Sequence, residues 1–342
     1  MFGDSFNQPL QRVTLPQHLQ HLTFGSCFNQ TMRNVTLPTG LQTLKFGRGF
    51  NQSLLQIDDW PQSLELLSLD EQFNQSLLKV DLPSGLRTLI LGDRFDQCVH
   101  SVTLPTHLET LILGGSFNRS LVQKFLPNGL KTLILGWAYN QSLDNVTLPT
   151  SLEALTFGSG FNQCLEKVVW PEGLHTLTFG CSFKRSLDQL VLPNRLQSLR
   201  LPTNCPCSLK NVQIPTGLMT LELGNLCDGN LLSGLQTLIY GTDINEDLER
   251  LKLPKGLHSL TTGYAFNCQL TNQSLPSSLV DLTLGACFDQ RLTTVLFPSG
   301  LLVLKLGERF NQSMNNVTLP GSLQNLTFGE RFNQSMDKVK LP

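Results

Sequence analysis

Apolar positions recur along this chain with a constant short period, and the stretch PGSLQNLTFGERFNQSMDKVKLP from Pro320 to Pro342 shows the pattern in full. With the proline as position zero, Leu323, Leu326 and Phe328 stand at three, six and eight, and Met336, Val339 and Leu341 at sixteen, nineteen and twenty-one. Two L-x-x-L-x-L segments are therefore nested in one unit. The end of each alternates apolar and polar, which is strand periodicity. Glycine after the first segment and proline after the second mark corners. No stripe at i, i+3, i+4, i+7 persists, so helical units are excluded. The phrase is repeated about sixteen times. About seven inward side chains per unit contribute roughly 1.5–3 kcal/mol each, against about 1–2 kcal/mol per residue for ordering the backbone. One unit alone does not fold; stacked units share ladders and a continuous core.

A polar triplet follows an aromatic position. Position twelve is Phe in twelve of sixteen units, from Phe6 to Phe332, and Tyr139 in another. This predicts a phenylalanine spine. Position thirteen is Asn in eleven units, among them Asn7, Asn29, Asn51, Asn140 and Asn333, with Asp96, Asp228 and Asp289 substituting. A side-chain amide both donates and accepts, so a stacked column of them satisfies backbone groups left open at a corner. An asparagine ladder is the structural reading.

The run L-x-x-L-x-[LF]-G-x-x-F-N-Q-S covers essentially the whole chain and resembles the FNIP repeat, a branch of the leucine-rich-repeat superfamily. The L-x-x-V-x-L-P segment is also similar to BspA-like surface repeats. The family's usual isoleucine or proline after Phe-Asn is mostly Gln-Ser here. The expected fold is an all-β solenoid, a leucine-rich-repeat-type right-handed superhelix. It has about 16 coils of about 22 residues, parallel strands on both long sides and little or no helix. Sixteen coils at about 4.8 Å spacing give a rod or arc on the order of 75 Å long. The resemblance implies protein interaction; some family members carry an F-box-like segment, which this chain does not show, and BspA-like members are adhesins.

Composition narrows the partners. Formal charge is −1 and 15% of residues are charged, without a basic stripe, so nucleic acid is not an expected partner. No apolar run reaches the roughly 18 residues of a membrane span. The start, MFGDSFNQPL, shows no signal peptide. Neither end carries a polar capping repeat, which suggests a fragment of a longer product, or ends that stack on something. Residues 1–342 read as one solenoid with two irregularities. An extra residue at Asp58-Asp59, before Trp60-Pro61, lengthens one coil and, with Glu65, Asp70, Glu71 and Asp81, makes a mildly acidic end. From Leu201 to Leu232 the pattern stumbles: Leu232 stands where the next proline is due, one coil is short, and a kink is expected.

Candidate chemistry is sparse. Cys27, Cys98, Cys164, Cys181, Cys268 and Cys287 sit singly near the triplet corner, and small buried side chains are expected. Cys205, Cys207 and Cys227 cluster in the irregular region, a weak candidate for a disulfide or a soft metal. The six histidines pair with no cysteine or carboxylate at catalytic spacing, and no catalytic motif is present, so neither an enzyme nor a cofactor is expected. Sequons such as Asn51-Gln52-Ser53 and Asn311-Gln312-Ser313 fall in the ladder, where burial would prevent glycosylation. With the unpaired cysteines this points to a cytoplasmic location, or an extracellular one if a signal peptide is missing.

The outward strand positions five and seven are the best site candidates. Ile90, Ile112 and Ile134 occupy position seven of three successive coils, with Thr88, Thr110 and Thr132 at position five. They predict an apolar stripe edged by hydroxyls, the expected partner-binding site of a non-catalytic protein-interaction scaffold. The alternative is an extracellular BspA-like adhesin. Threonine pairs such as Thr176 and Thr178 raise an ice-binding face as a remote third reading.

Overall fold

Positions five to seven alternate half-buried, buried, half-buried, and in coil after coil this alternation becomes a short strand. A computed structural model describes residues 1–121, 125–185, 187, 190–202, 212–224, 234–249 and 253–341. Fifteen strands occur among the described residues. The chain divides into two compact units, Met1–Phe183 and Lys184–Pro342. The first holds β1 (His21–Thr23), β2 (Thr43–Phe46), β3 (Leu66–Leu69), β4 (Thr88–Ile90), β5 (Thr110–Ile112), β6 (Thr132–Ile134), β7 (Ala154–Thr156) and β8 (Thr176–Thr178). The second holds β9 (Ser198–Arg200), β10 (Thr220–Leu223), β11 (Thr237–Tyr240), β12 (Ser259–Thr261), β13 (Asp281–Thr283), β14 (Val303–Lys305) and β15 (Asn325–Thr327).

Within each unit, successive strands pair in parallel in chain order. Thr88 faces Thr110 and Thr110 faces Thr132, so each residue meets its equivalent one repeat further on. The step is one residue longer where Thr43 faces Leu66, which places the extra residue in the coil that contains Asp58 and Asp59. It is five residues shorter where Thr220 faces Thr237. Residues 203–211 and 225–233, which make up most of the expected kink, lie outside the described residues, as do Cys205, Cys207 and Cys227.

The second apolar segment does not form the second strand that its alternation predicts. Among the described residues it yields one 3-10 turn, Leu54–Gln56, and one isolated bridge, Val191 to Gln213. The reason is where its amides go. A regular coil among the described residues is closed by three β-turns. In the coil that begins at Pro127, Leu130 N–H donates to Pro127 O at 3.1 Å, Tyr139 N–H to Gly136 O at 3.1 Å, and Val146 N–H to Leu143 O at 2.9 Å. The third turn spends the valine amide inside its own coil, and the proline that follows has no amide to give. Leu143 is nonetheless buried, as are most residues at its position, so the segment fills the core without laddering.

The position-fifteen hydroxyl supports that third turn. Ser53 Oγ accepts from Leu55 N–H at 3.3 Å, Ser76 Oγ from Leu78 N–H at 3.2 Å and Ser142 Oγ from Asp144 N–H at 3.1 Å. Thr31, Ser313 and Ser335 do the same in their coils, as does the carboxylate of Asp247. Short polar side chains are favoured at such turns because their oxygen replaces a missing backbone acceptor.

The glycine at position nine has a different reason from the one its corner suggests. Among the described residues no glycine has a positive φ. A Cβ on Gly136 would lie 1.8 Å from Gly114 O, and one on Gly114 would lie 1.7 Å from Gly92 O. The coils approach so closely here that only hydrogen fits.

The aromatic spine is present. Phe95, Phe117, Tyr139 and Phe161 stack with centroids 6.0, 6.1 and 6.3 Å apart and rings within 12° of parallel. In the second unit Phe266, Phe288, Phe310 and Phe332 stack at 5.9–6.1 Å. Where position eight is also Phe, a second column leans on the first: Phe46 lies 3.9 Å from Phe50 and Phe157 lies 4.0 Å from Phe161. Coils are thus about 6 Å apart at the rings, against about 4.8 Å between paired strands. Stacked wedges of this kind bend, so each unit curves with its strand face on the inside.

The asparagine ladder is also present, with a defined direction. Asn140 Oδ1 accepts from Asn162 N–H at 2.9 Å and from Gln163 Nε2 at 3.0 Å, both in the next coil. The same bonds run from Asn7 to Asn29 and from Asn311 to Asn333. The column runs through the side-chain oxygen as acceptor, which explains the aspartates. Asp96 Oδ1 receives Asn118 N–H at 3.0 Å, and Arg119 replaces glutamine above it and pairs with Oδ2 at 2.8 Å. The ladder is not buried: Asn51 and Asn140 are half-buried, and Asn29, Asn118 and Asn311 are exposed. The burial on which the sequon argument rested is therefore absent.

Candidate functional site

The strand face carries the residues singled out from the sequence, and the pairing brings them together. Ile90, Ile112 and Ile134 stand opposite one another across β4, β5 and β6, as do Thr88, Thr110 and Thr132. Leu89, Leu111 and Leu133 between them are buried, while all six flanking residues are half-buried. The alternation thus turns the isoleucines and threonines outward, onto the inside of the curve. Lys45 and Ser68 precede Ile90 in this column and Thr156 and Thr178 follow Ile134, so the apolar segment is three strands wide.

One step before the threonines runs a row of alternating charge. Glu109 Oε1 pairs with Arg87 Nη1 at 2.7 Å and Oε2 with Lys131 Nζ at 3.2 Å. Lys131, then Arg87, holds the Glu109 carboxyl below the usual range. Opposite charges on adjacent strands favour this register. The sequence reading missed this row, although Arg87, Glu109 and Lys131 hold the same position of successive repeats.

It also missed Trp137. This residue lies three positions beyond Ile134, at the corner that ends β6, and is 68% exposed. Its indole ring lies over Gly115, whose Cβ, if present, would sit 3.4 Å from it. A large exposed aromatic beside an apolar stripe is a common anchor of protein interfaces.

Other candidates move. Cys27, Cys98, Cys164 and Cys181 are exposed and Cys268 and Cys287 half-buried, not buried as expected; all six are free thiols. Cys98 does have a histidine partner: its Sγ lies 2.7 Å from His100 Nδ1, a pairing the sequence reading had excluded. The lengthened coil opens a cleft of about 460 Å³ with Leu54 and Ile57 on its wall and Asp58, Asp59, Trp60 and Asp81 around it. Among the described residues no cluster of three or more His, Cys, Asp or Glu is placed to hold a metal. Among them, too, no helix is long and apolar enough to cross a membrane.

Comparison with known proteins places this geometry. The model of the FNIP repeat matches residues 1–27, 28–72, 73–116, 117–160, 139–182, 161–204, 245–287, 288–331 and 310–342. The gap in these matches falls where the shortened coil interrupts the period. Among solved structures the chain is similar to CroV588, described as a novel circular leucine-rich-repeat protein. The match has 36% identity and a TM-score of 0.73, and covers 100% of this chain and 54% of that one. The chain therefore spans about half the length of CroV588. It is also similar in fold to YopM, a leucine-rich effector protein from Yersinia pestis, at 19% identity and a TM-score of 0.51, covering 92% of this chain and 84% of that one. No curated protein matches the sequence. The repeated strand, glycine, Phe-Asn-Gln corner and turn are thus a shared design, and this chain belongs to the FNIP-repeat family, with a leucine-rich-repeat-like solenoid fold.

Proposed function

We propose that this protein is a non-catalytic protein-interaction scaffold and that a protein partner docks on the strand face over β4 to β6. The observation that carries this reading is the register-matched column Ile90, Ile112 and Ile134 on the inside of the curve. An isolated exposed apolar residue needs no explanation, whereas a contiguous patch often marks an interface. Thr88, Thr110 and Thr132 supply hydroxyls along one edge, and Trp137 an aromatic anchor at one end. Repeat solenoids use such faces because adjacent coils present the same position side by side.

Ile112→Lys tests it, since a charge in mid-column disrupts docking while an outward, half-buried position tolerates it. The variant is expected to keep the parent's melting temperature within a few degrees and to lose the partners that the parent captures. A variant that keeps both its fold and all its partners removes the stripe as the docking site.

A further inference from the structure

The third turn of the coil that begins at Pro83 differs chemically from its neighbours. Its position fifteen is Cys98, where Ser76 precedes it and Ser120 follows. In several other coils a serine, threonine or aspartate oxygen at this position caps the turn by accepting the amide two residues on. In this coil the sulfur instead meets the ring of His100, with Sγ and Nδ1 2.7 Å apart. Both side chains are exposed, and Val99 between them is fully buried. The turn is closed by Val102 N–H to Val99 O at 3.2 Å. The buried valine and this turn hold thiol and imidazole side by side, facing solvent.

We propose that Cys98 is a nucleophilic thiol served by His100, and the site at which this protein forms a reversible mixed disulfide with low-molecular-weight disulfides. With the ring proton on Nε2, the thiol donates to Nδ1. As Sγ attacks one sulfur of the disulfide, its proton passes to the imidazole. A new S–S bond forms to Sγ, the old one breaks, and the departing thiolate takes the proton back from the ring. One disulfide is exchanged for another, so no further oxidant or reductant is consumed. A positioned base and an accessible sulfur are what such exchange requires.

The molecule carries its own control. Cys164 stands at the same position of its coil and is also an exposed free thiol, but the residue at the place of His100 is Glu166. The experiment exposes the intact protein to oxidised glutathione at neutral pH and follows each cysteine by mass spectrometry. Cys98 is expected to acquire glutathione about tenfold or more faster than Cys164. His100→Asn is expected to bring Cys98 close to the Cys164 rate with the melting temperature unchanged. Because the pair and not exposure confers the reactivity, equal rates at Cys98 and Cys164 in the parent overturn the assignment. So does a Cys98 rate that survives His100→Asn. If His100→Asn loosens the turn, a Cys98→Ser variant, which restores the usual cap, reports whether the turn still folds. The rate comparison in the parent then stands alone.

Discussion

At the scale of single residues, much of the stability of a coil comes from atoms that are absent or acceptors that are unspecific. Gly136→Ala forces a methyl group to within 1.8 Å of Gly114 O, a backbone atom that cannot step aside. Overpacking of this kind costs about 1–3 kcal/mol or more. Gly300 has open space where its Cβ would go, so Gly300→Ala is expected to be near neutral. Denaturant titration of the two variants checks the contrast. The ladder gives the second case. Asn140→Asp keeps the acceptor used by Asn162 N–H and Gln163 Nε2 and is expected to stay within about 0.5 kcal/mol of the parent. Asn140→Ala leaves both donors unmet and is expected to cost about 1–3 kcal/mol. Tyr139 is the third. Its hydroxyl is buried in the spine without a partner, and burial pushes the phenol up from its ordinary value. Tyr139→Phe is expected to raise the melting temperature, because the desolvated hydroxyl costs about 1–3 kcal/mol. A phenol raised in the folded state loses its stability contribution as pH climbs past about 10, where the unfolded tyrosine ionises. The variant is therefore expected to be less sensitive to alkali than the parent.

At the scale of the element, one strand and three turns share the coil, and the sequence showed them unequally. The strand at positions five to seven was legible because a buried leucine between half-buried neighbours is the plain signature of a sheet with one open face. The spine was legible because its spacing is constant. The second strand was misread because an L-x-x-V spacing serves a β-turn as well as it serves a strand, and periodicity alone does not distinguish them. The valine amide, bonded to Leu143 O in the case of Val146, decides it. The thiol of Cys98 was misread because a free cysteine is usually a small buried side chain, whereas its position in the turn is the solvent-facing one that serine holds in the coil before. The spine predicts its own test. Phe161 stacks on Tyr139, Phe157 and Phe183, and Phe161→Ala is expected to cost about 3–5 kcal/mol. Gln163→Ala removes only a half-buried amide and is expected to cost about 1 kcal/mol. Equal losses in thermal melts would mean that the ring is not the structural centre of the corner.

At the scale of the whole molecule, strands inside each unit pair, among the described residues, with the strands before and after them in chain order. Stability in such an array is a sum of coil and neighbour terms. Phe95→Ala and Phe288→Ala, far apart in the chain, are therefore expected to add within about 0.5 kcal/mol, whereas Phe95→Ala and Phe117→Ala, whose rings stack, are expected to couple. Double-mutant cycles measure both. The array also sets what the protein presents. Alternation turns Ile90, Ile112 and Ile134 to the inside of the curve, and the turns leave Leu55 and Leu78 exposed on the other side of the coil at 52% and 43%. The most direct measurement of the proposed binding face is hydroxyl-radical footprinting of the protein alone and with a captured partner. The account predicts that Ile90, Ile112, Ile134 and Trp137 lose reactivity in the complex while Leu55 and Leu78 keep theirs. Protection of Leu55 and Leu78, with the isoleucines and Trp137 unchanged, would contradict it and move the binding surface to the turns.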